Sequence, residues 1–86
     1  MKNIEITISG EPIDQKQAQM MAQIVAEGEN PESFVISRFS KPDNACSPCC
    51  LKSDLGGKPG WEVYGENHGG RIKISVNNGD YVFICT

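Results

Sequence analysis

RIKISVNNGDYVFIC, residues 71–85, is the stretch on which the fold turns. Ile72, Ile74 and Val76 alternate with Lys73 and Ser75, the period-two pattern of a strand with one buried face. Asn78-Gly79 suits a two-residue type I′ turn, in which both central residues take positive φ. Tyr81 to Cys85 is the returning strand. With Asn78 and Gly79 as the loop, Val76 lies opposite Tyr81, Ile74 opposite Phe83 and Ile72 opposite Cys85. Opposed residues share a face, so Cys85 points with Ile72 and Ile74 toward the core. Val82 and Ile84, on the other face, are also apolar. The last strand is therefore either central and covered on both sides or packed against a partner on its second side.

Upstream of this hairpin the chain opens with another alternation. Ile4, Ile6 and Ile8 face one way, and Asn3, Glu5, Thr7 and Ser9 the other, which reads as a half-buried strand. Gly10-Glu11-Pro12 ends it. Asp14 then stands as a helix N-cap, with Gln17 placed to return a hydrogen bond to the cap backbone. Ile13, Gln17, Met20, Met21, Ile24 and Val25 fall near one stripe at helical spacing, so Met20 and Met21 are expected in the core. Gly28 is placed to close the helix in the left-handed conformation, giving a helix over 14–27. Residues 33–39 read as a second strand. The strand–helix–strand order with short joints suggests a crossover that sets the first two strands parallel.

Residues 40–60 show no periodicity and hold Pro42, Pro48, Pro59, Gly56, Gly57 and Gly60 together with three of the four cysteines. A stretch of about twenty residues without structure is unusual within a compact domain. Trp61 to Tyr64 reads as a short third strand, and Trp61 either anchors the loop to the sheet or serves as a binding hot spot. His68 lies in a turn before the hairpin.

Composition narrows the partners. The chain has 86 residues and a net charge of −3. Its eight Lys and Arg are scattered, whereas a nucleic-acid surface needs them clustered to displace counterions. No nucleic-acid partner is therefore expected. Apolar runs fall far short of the roughly 20 residues needed to span a bilayer, so no membrane role is expected. Glu5 interrupts any export-signal core, which makes the cytoplasm the expected compartment and reduced thiols the expected state.

The residues with distinctive chemistry are Cys46, Cys49 and Cys50. Two thiolates spaced by two residues can face one metal ion, and zinc takes four such donors. Cys46, Cys49, Cys50 and His68 form one candidate zinc set, with Cys85 as an alternative donor. A second reading is redox. Cys46-Ser47-Pro48-Cys49 resembles the Cys-x-Pro-Cys form of thioredoxin-like active sites, whose first cysteine sits at a helix N-terminus that lowers its pKa. This chain departs from that pattern, because Gly56-Gly57 interrupts any long following helix. A third reading is structural, with the cysteines as small buried hydrophobes. No Ser–His–acid set is evident. Glu62 and Glu66 form a carboxylate pair on what reads as a solvated strand face.

The sequence thus implies one α+β domain over residues 1–86. Its order is strand, helix, strand, long cysteine loop and three further strands, in a mixed and mostly antiparallel sheet with one helix on one face. One helix of about fourteen residues covers about three strands. That leaves the strip of Val82 and Ile84 for a homodimer or a protein partner. The expected function is a small non-enzymatic binding or regulatory protein, with Cys46, Cys49, Cys50 and Trp61 as the binding residues. The alternative is a small thiol–disulfide protein or redox sensor.

Overall fold

The computed structural model describes residues 2–8, 13–42, 45–47 and 60–86. Its elements are β1 (Lys2–Ile6), α1 (Gln15–Glu29), β2 (Val35–Ser40), β3 (Ala45–Ser47), α2 (Gly60–Asn67), β4 (Ile72–Val76) and β5 (Tyr81–Cys85). The strands form one mixed sheet in the order β1-β4-β5-β2-β3. β1 and β4 pair in parallel, and the other neighbours are antiparallel.

The hairpin follows the alternation that its sequence carries. Val76 pairs with Tyr81, Ile74 with Phe83 and Ile72 with Cys85. Asn78 and Gly79 both have positive φ, at 59° and 91°. Asn77 is also left-handed, at 52°. Its backbone N–H donates to Ile6 O, and its side-chain oxygen accepts from Ile8 N. Asn77 thereby extends the pairing of β1 beyond the end of β4, using the tolerance of Asn for this conformation.

β1 and β2 run in the same direction but are not neighbours, because β4 and β5 lie between them. The parallel direction expected of the first two strands is what the sheet has, with the hairpin inserted between them. The α1 crossover spans the C-terminal hairpin, which alone offers β1 a partner in register, from Lys2 against Ile72 to Ile6 against Val76.

α1 begins at the expected cap. Asp14 accepts from Gln17 N, and Asp14 N donates to Gln17 Oε1. Its rotation about its own axis differs from expectation. The fully buried face is Ala18, Ala22 and Ala26, each 0% exposed. Met20 and Ile24 are 59% and 67% exposed, and Met21 is exposed as well. Alanines four residues apart share one face and let the helix backbone lie close to β4 and β5. Larger side chains there would hold it away. Tyr81 Oη donates to Ile13 O, Gln23 Nε2 to Ser33 O and Arg38 Nη1 to Gln19 Oε1, fixing this orientation from three sides.

The helix also runs past Gly28 to Glu29 and ends at Asn30 in extended conformation, so no left-handed glycine closes it. Two further corrections fall in the cysteine region. Residues 45–47 form β3 against β2. Residues 60–67, including the expected strand 61–64, form α2.

α2 lies on the opposite face from α1. Trp61, Val82 and Ile84 form a buried cluster there, with Phe39 and Cys46 packed against it. The helix approaches closely, because a Cβ on Gly65 would meet Ile84 Cγ2 at 2.6 Å and Ser37 Oγ at 2.7 Å. The strip of Val82 and Ile84 is thus covered from within the chain, and it gives no ground for a dimer. Two helices, one on each face, replace the single helix expected.

Gly28 offers a direct check on the end of α1. A Cβ added there meets nothing within 4 Å, and the residue is helical and exposed. Gly28→Ala should stabilise the protein by about 0.5–1 kcal/mol, or roughly 2–8 °C in Tm, in thermal unfolding followed by circular dichroism. A lower Tm would mean that the helix does not continue through this position.

Candidate functional site

The cysteine corner is built on the short strand β3. Cys46 is paired in register with Phe39 of β2 and packs against the Trp61–Val82–Ile84 cluster. It is disulfide-bonded. Cys49 and Cys50 themselves lie outside the described residues, as do Pro48 and Gly56-Gly57. Trp61 is 8% exposed, and its ring stacks on Phe39 at 5.5 Å and 8°. Of its two sequence readings, this geometry is that of a core anchor, since the indole presents little surface to a ligand.

The described donors of the candidate zinc set, His68 and Cys85, stand apart from Cys46. His68 is exposed in the turn after α2, stacked on Tyr64 at 3.9 Å, with Nδ1 2.8 Å from Tyr64 O. It lies about two helical turns along the chain from Trp61, whereas Cys46 packs at the Trp61 end. Cys85 is in the core on the α1 side, so the sheet itself separates it from Cys46. Among the described residues, no group of three or more His, Cys, Asp or Glu is placed to hold a metal ion. Glu62 is on a helix rather than a strand face. Its Oε1 accepts from Lys73 Nζ at 2.8 Å in a partly buried pair, which ties α2 to β4.

A second surface, unmarked in the sequence reading, lies on the outer side of α1. At 3.6 residues per turn, Lys16, Met20, Gln23, Ile24 and Glu27 fall within about 100° of arc, roughly opposite the buried alanines. Lys16, Gln19, Met20, Gln23 and Ile24 line a shallow depression of about 420 Å³. Beside it, Gln19 and Arg38 take part in a smaller cleft with Val35 and Ile36 of β2. Phe34, 60% exposed, follows the Ser33 carbonyl that holds Gln23. This stripe has apolar side chains at its centre and charges at its ends. The spacing of Ala18, Ala22 and Ala26 was the available signal for it, because a small-residue face turned inward leaves the large residues outside.

The architecture defines a small α+β domain with a mixed five-stranded sheet and a helix on each face. The chain belongs to the family described as "Domain of unknown function (DUF5619)", whose match spans residues 1–85. In three dimensions it is similar to the crystal structure of the protein AF1514 from Archeoglobus fulgidus DSM 4304. That likeness has a TM-score of 0.80 and 24% identity, and covers 100% of this chain and 93% of the other. At that identity the likeness establishes the fold. No curated protein matches the chain. Among the described residues, no helix is long and apolar enough to cross a membrane.

The buried thiol of this core has a measurable consequence. Burial pushes the Cys85 thiol up from 9.0 to about 11. Between these values the unfolded chain releases the proton while the folded chain keeps it. Stability is therefore level below pH 9 and falls as pH rises toward 11. In urea unfolding, Cys85→Ala starts less stable because of the cavity it leaves. The gap to the parent should narrow by about 2 kcal/mol between pH 8.5 and 11. A constant gap would show that the thiol is not held protonated.

Proposed function

We propose that this protein is a small non-enzymatic binding or regulatory module that acts through the outer face of α1 and the adjoining start of β2. The observation that carries the reading is the contrast between a filled interior and an uncovered apolar stripe. Both faces of β5 are buried by the chain's own helices, yet Met20, Ile24 and Phe34 remain exposed. Single exposed apolar residues are ordinary on protein surfaces. Several gathered beside one another and rimmed by polar groups mark an interaction site. Methionine suits such a face, because its unbranched, polarizable chain adapts to the contour of a partner.

A photoreactive amino acid placed at position 20 of the full chain, expressed in its own cell, tests this reading. Discrete adducts should form there and not from the same group at Glu66, an exposed residue of α2. An adduct-free position 20 would overturn the reading.

The disulfide at Cys46 favours a second reading, as a redox-sensitive site. In the cytoplasmic setting expected from the sequence, disulfides are mostly transient or redox-sensing. Reduction would restore a thiolate at Cys46, and with Cys49 and Cys50 it would supply zinc donors. Because Cys46 packs on the cluster containing Trp61, and Trp61 is the sole tryptophan, its fluorescence reports on the bond. Titration through thiol buffers of graded potential should shift the emission with one midpoint. Cys46→Ser should abolish the shift, and an emission indifferent to potential would exclude a switch at this cluster.

A further inference from the structure

We infer that the α1 stripe is the seam of a symmetric homodimer, in which α1 packs antiparallel against α1 of a second copy. This rests on the binding reading above and names the partner of that same face.

Lys16 sits in the first turn of α1 and Glu27 in the last, and the helix has no acid in its first turn and no base in its last. Both charges oppose the helix dipole, which favours acids at the N-terminus and bases at the C-terminus. Within the described part of the chain, neither residue has an ion-pair or hydrogen-bond partner. The neighbouring Glu29, by contrast, bonds Lys2 at 2.8 Å. Helix stability therefore does not account for Lys16 and Glu27.

Pairing with a second copy does account for them. A two-fold axis makes an interface isologous, so that residue i meets residue j and j meets i. If the axis crosses α1 at the level between Met20 and Ile24, Met20 of one copy meets the second copy's Ile24. The same register sets Lys16 level with the second copy's Gly28, one residue (about 1.5 Å) from Glu27 and within reach of its carboxylate, and does so at both ends. The apolar pairs lie at the centre and two opposite-charge pairs at the rim. A parallel arrangement would set Lys16 against Lys16 and Glu27 against Glu27. Exposed ion pairs add little affinity, but they fix orientation and register. The apolar centre supplies the attraction. Phe34, on the flank that Gln23 bonds, extends the contact toward β2.

The experiment is a charge swap in the full chain, read by sedimentation equilibrium at low salt across micromolar to millimolar concentration. The parent should self-associate to a dimer. Lys16→Glu and Glu27→Lys, each alone, place like charges at both ends and should weaken dimerisation several-fold. The double variant Lys16→Glu/Glu27→Lys restores opposite pairs and should return the parent affinity. Both substitutions suit the helix dipole, so the fold is not at risk, and circular dichroism verifies it. Met20→Glu should abolish the dimer. A parent that stays monomeric throughout, or a dimer indifferent to the swap, would overturn the inference. The adducts at position 20 separate this failure from that of the binding reading. Adducts with a different protein leave a binding module without a second copy. Their absence removes both.

Discussion

Every side chain of β5, from Tyr81 to Cys85, is buried. A strand in that condition needs covering on both faces and hydrogen-bonding on both edges. β4 and β2 supply the edges. The alanine face of α1 covers Tyr81, Phe83 and Cys85, and α2 with Trp61 covers Val82 and Ile84. Each large apolar side chain withdrawn from water contributes about 1.5–3 kcal/mol, so five neighbours on one short strand concentrate much of the stabilisation of a small domain. The close seat of α2 has a cost. Ser37 Oγ is buried without a hydrogen-bond partner among the described residues, a penalty of about 1–3 kcal/mol. It lies 2.7 Å from where a Cβ of residue 65 would be, so contact between helix and sheet is kept there at the expense of hydrogen bonding.

The same strand explains which parts of the fold could be read in advance. The β4–β5 register followed from the two-residue period and a turn type that few residue pairs satisfy. The cap of α1 followed from Asp14 and Gln17, whose bonds are local. The failures concern choices made by tertiary contact. Trp61, Val63 and Tyr64 are residues that strands favour. The closeness of approach to Ile84, which only glycine at 65 permits, draws them into a helix instead. β3 is three residues long, too short for any periodicity. α1 carries apolar residues on several sides, and weighting by size selects Met20 and Ile24 over Ala18 and Ala22. Depth was decided by the distance between helix and sheet, a quantity that hydropathy does not encode.

Candidate sites were legible to a similar, partial degree. Clustering of Cys46, Cys49 and Cys50 is a matter of spacing and needs no fold to be seen. What no spacing reveals is that β3 turns Cys46 toward α2 while β5 turns Cys85 toward α1. The sheet then sets Cys46 and Cys85 in two different environments. The α1 stripe was hidden for the opposite reason. Its apolar residues, Met20 and Ile24, were read as core, and a helix turned by roughly half a revolution exchanges core for surface. The opposed charges at the two helix ends were visible from the start, but they acquire meaning only once the rotation is known.

The cysteine corner and the α1 stripe lie on opposite sides of the sheet, and this bears on how the protein would be controlled. A change in the oxidation of Cys46 acts first on Phe39, Trp61 and the seat of α2. The direct way to Met20 or Ile24 leads through β5, which is covered on both faces and paired on both edges. β2 offers a second connection between the two sides. Its side chains reach both: Phe39 packs in the α2-side cluster with Cys46, and Arg38, one residue earlier, holds Gln19 of α1. It also carries the irregularity between Val35 and Ser37, where a strand bends most readily. Were the Cys46 disulfide a switch, the shortest connection from it to the outer face of α1 would be along this strand, through Arg38.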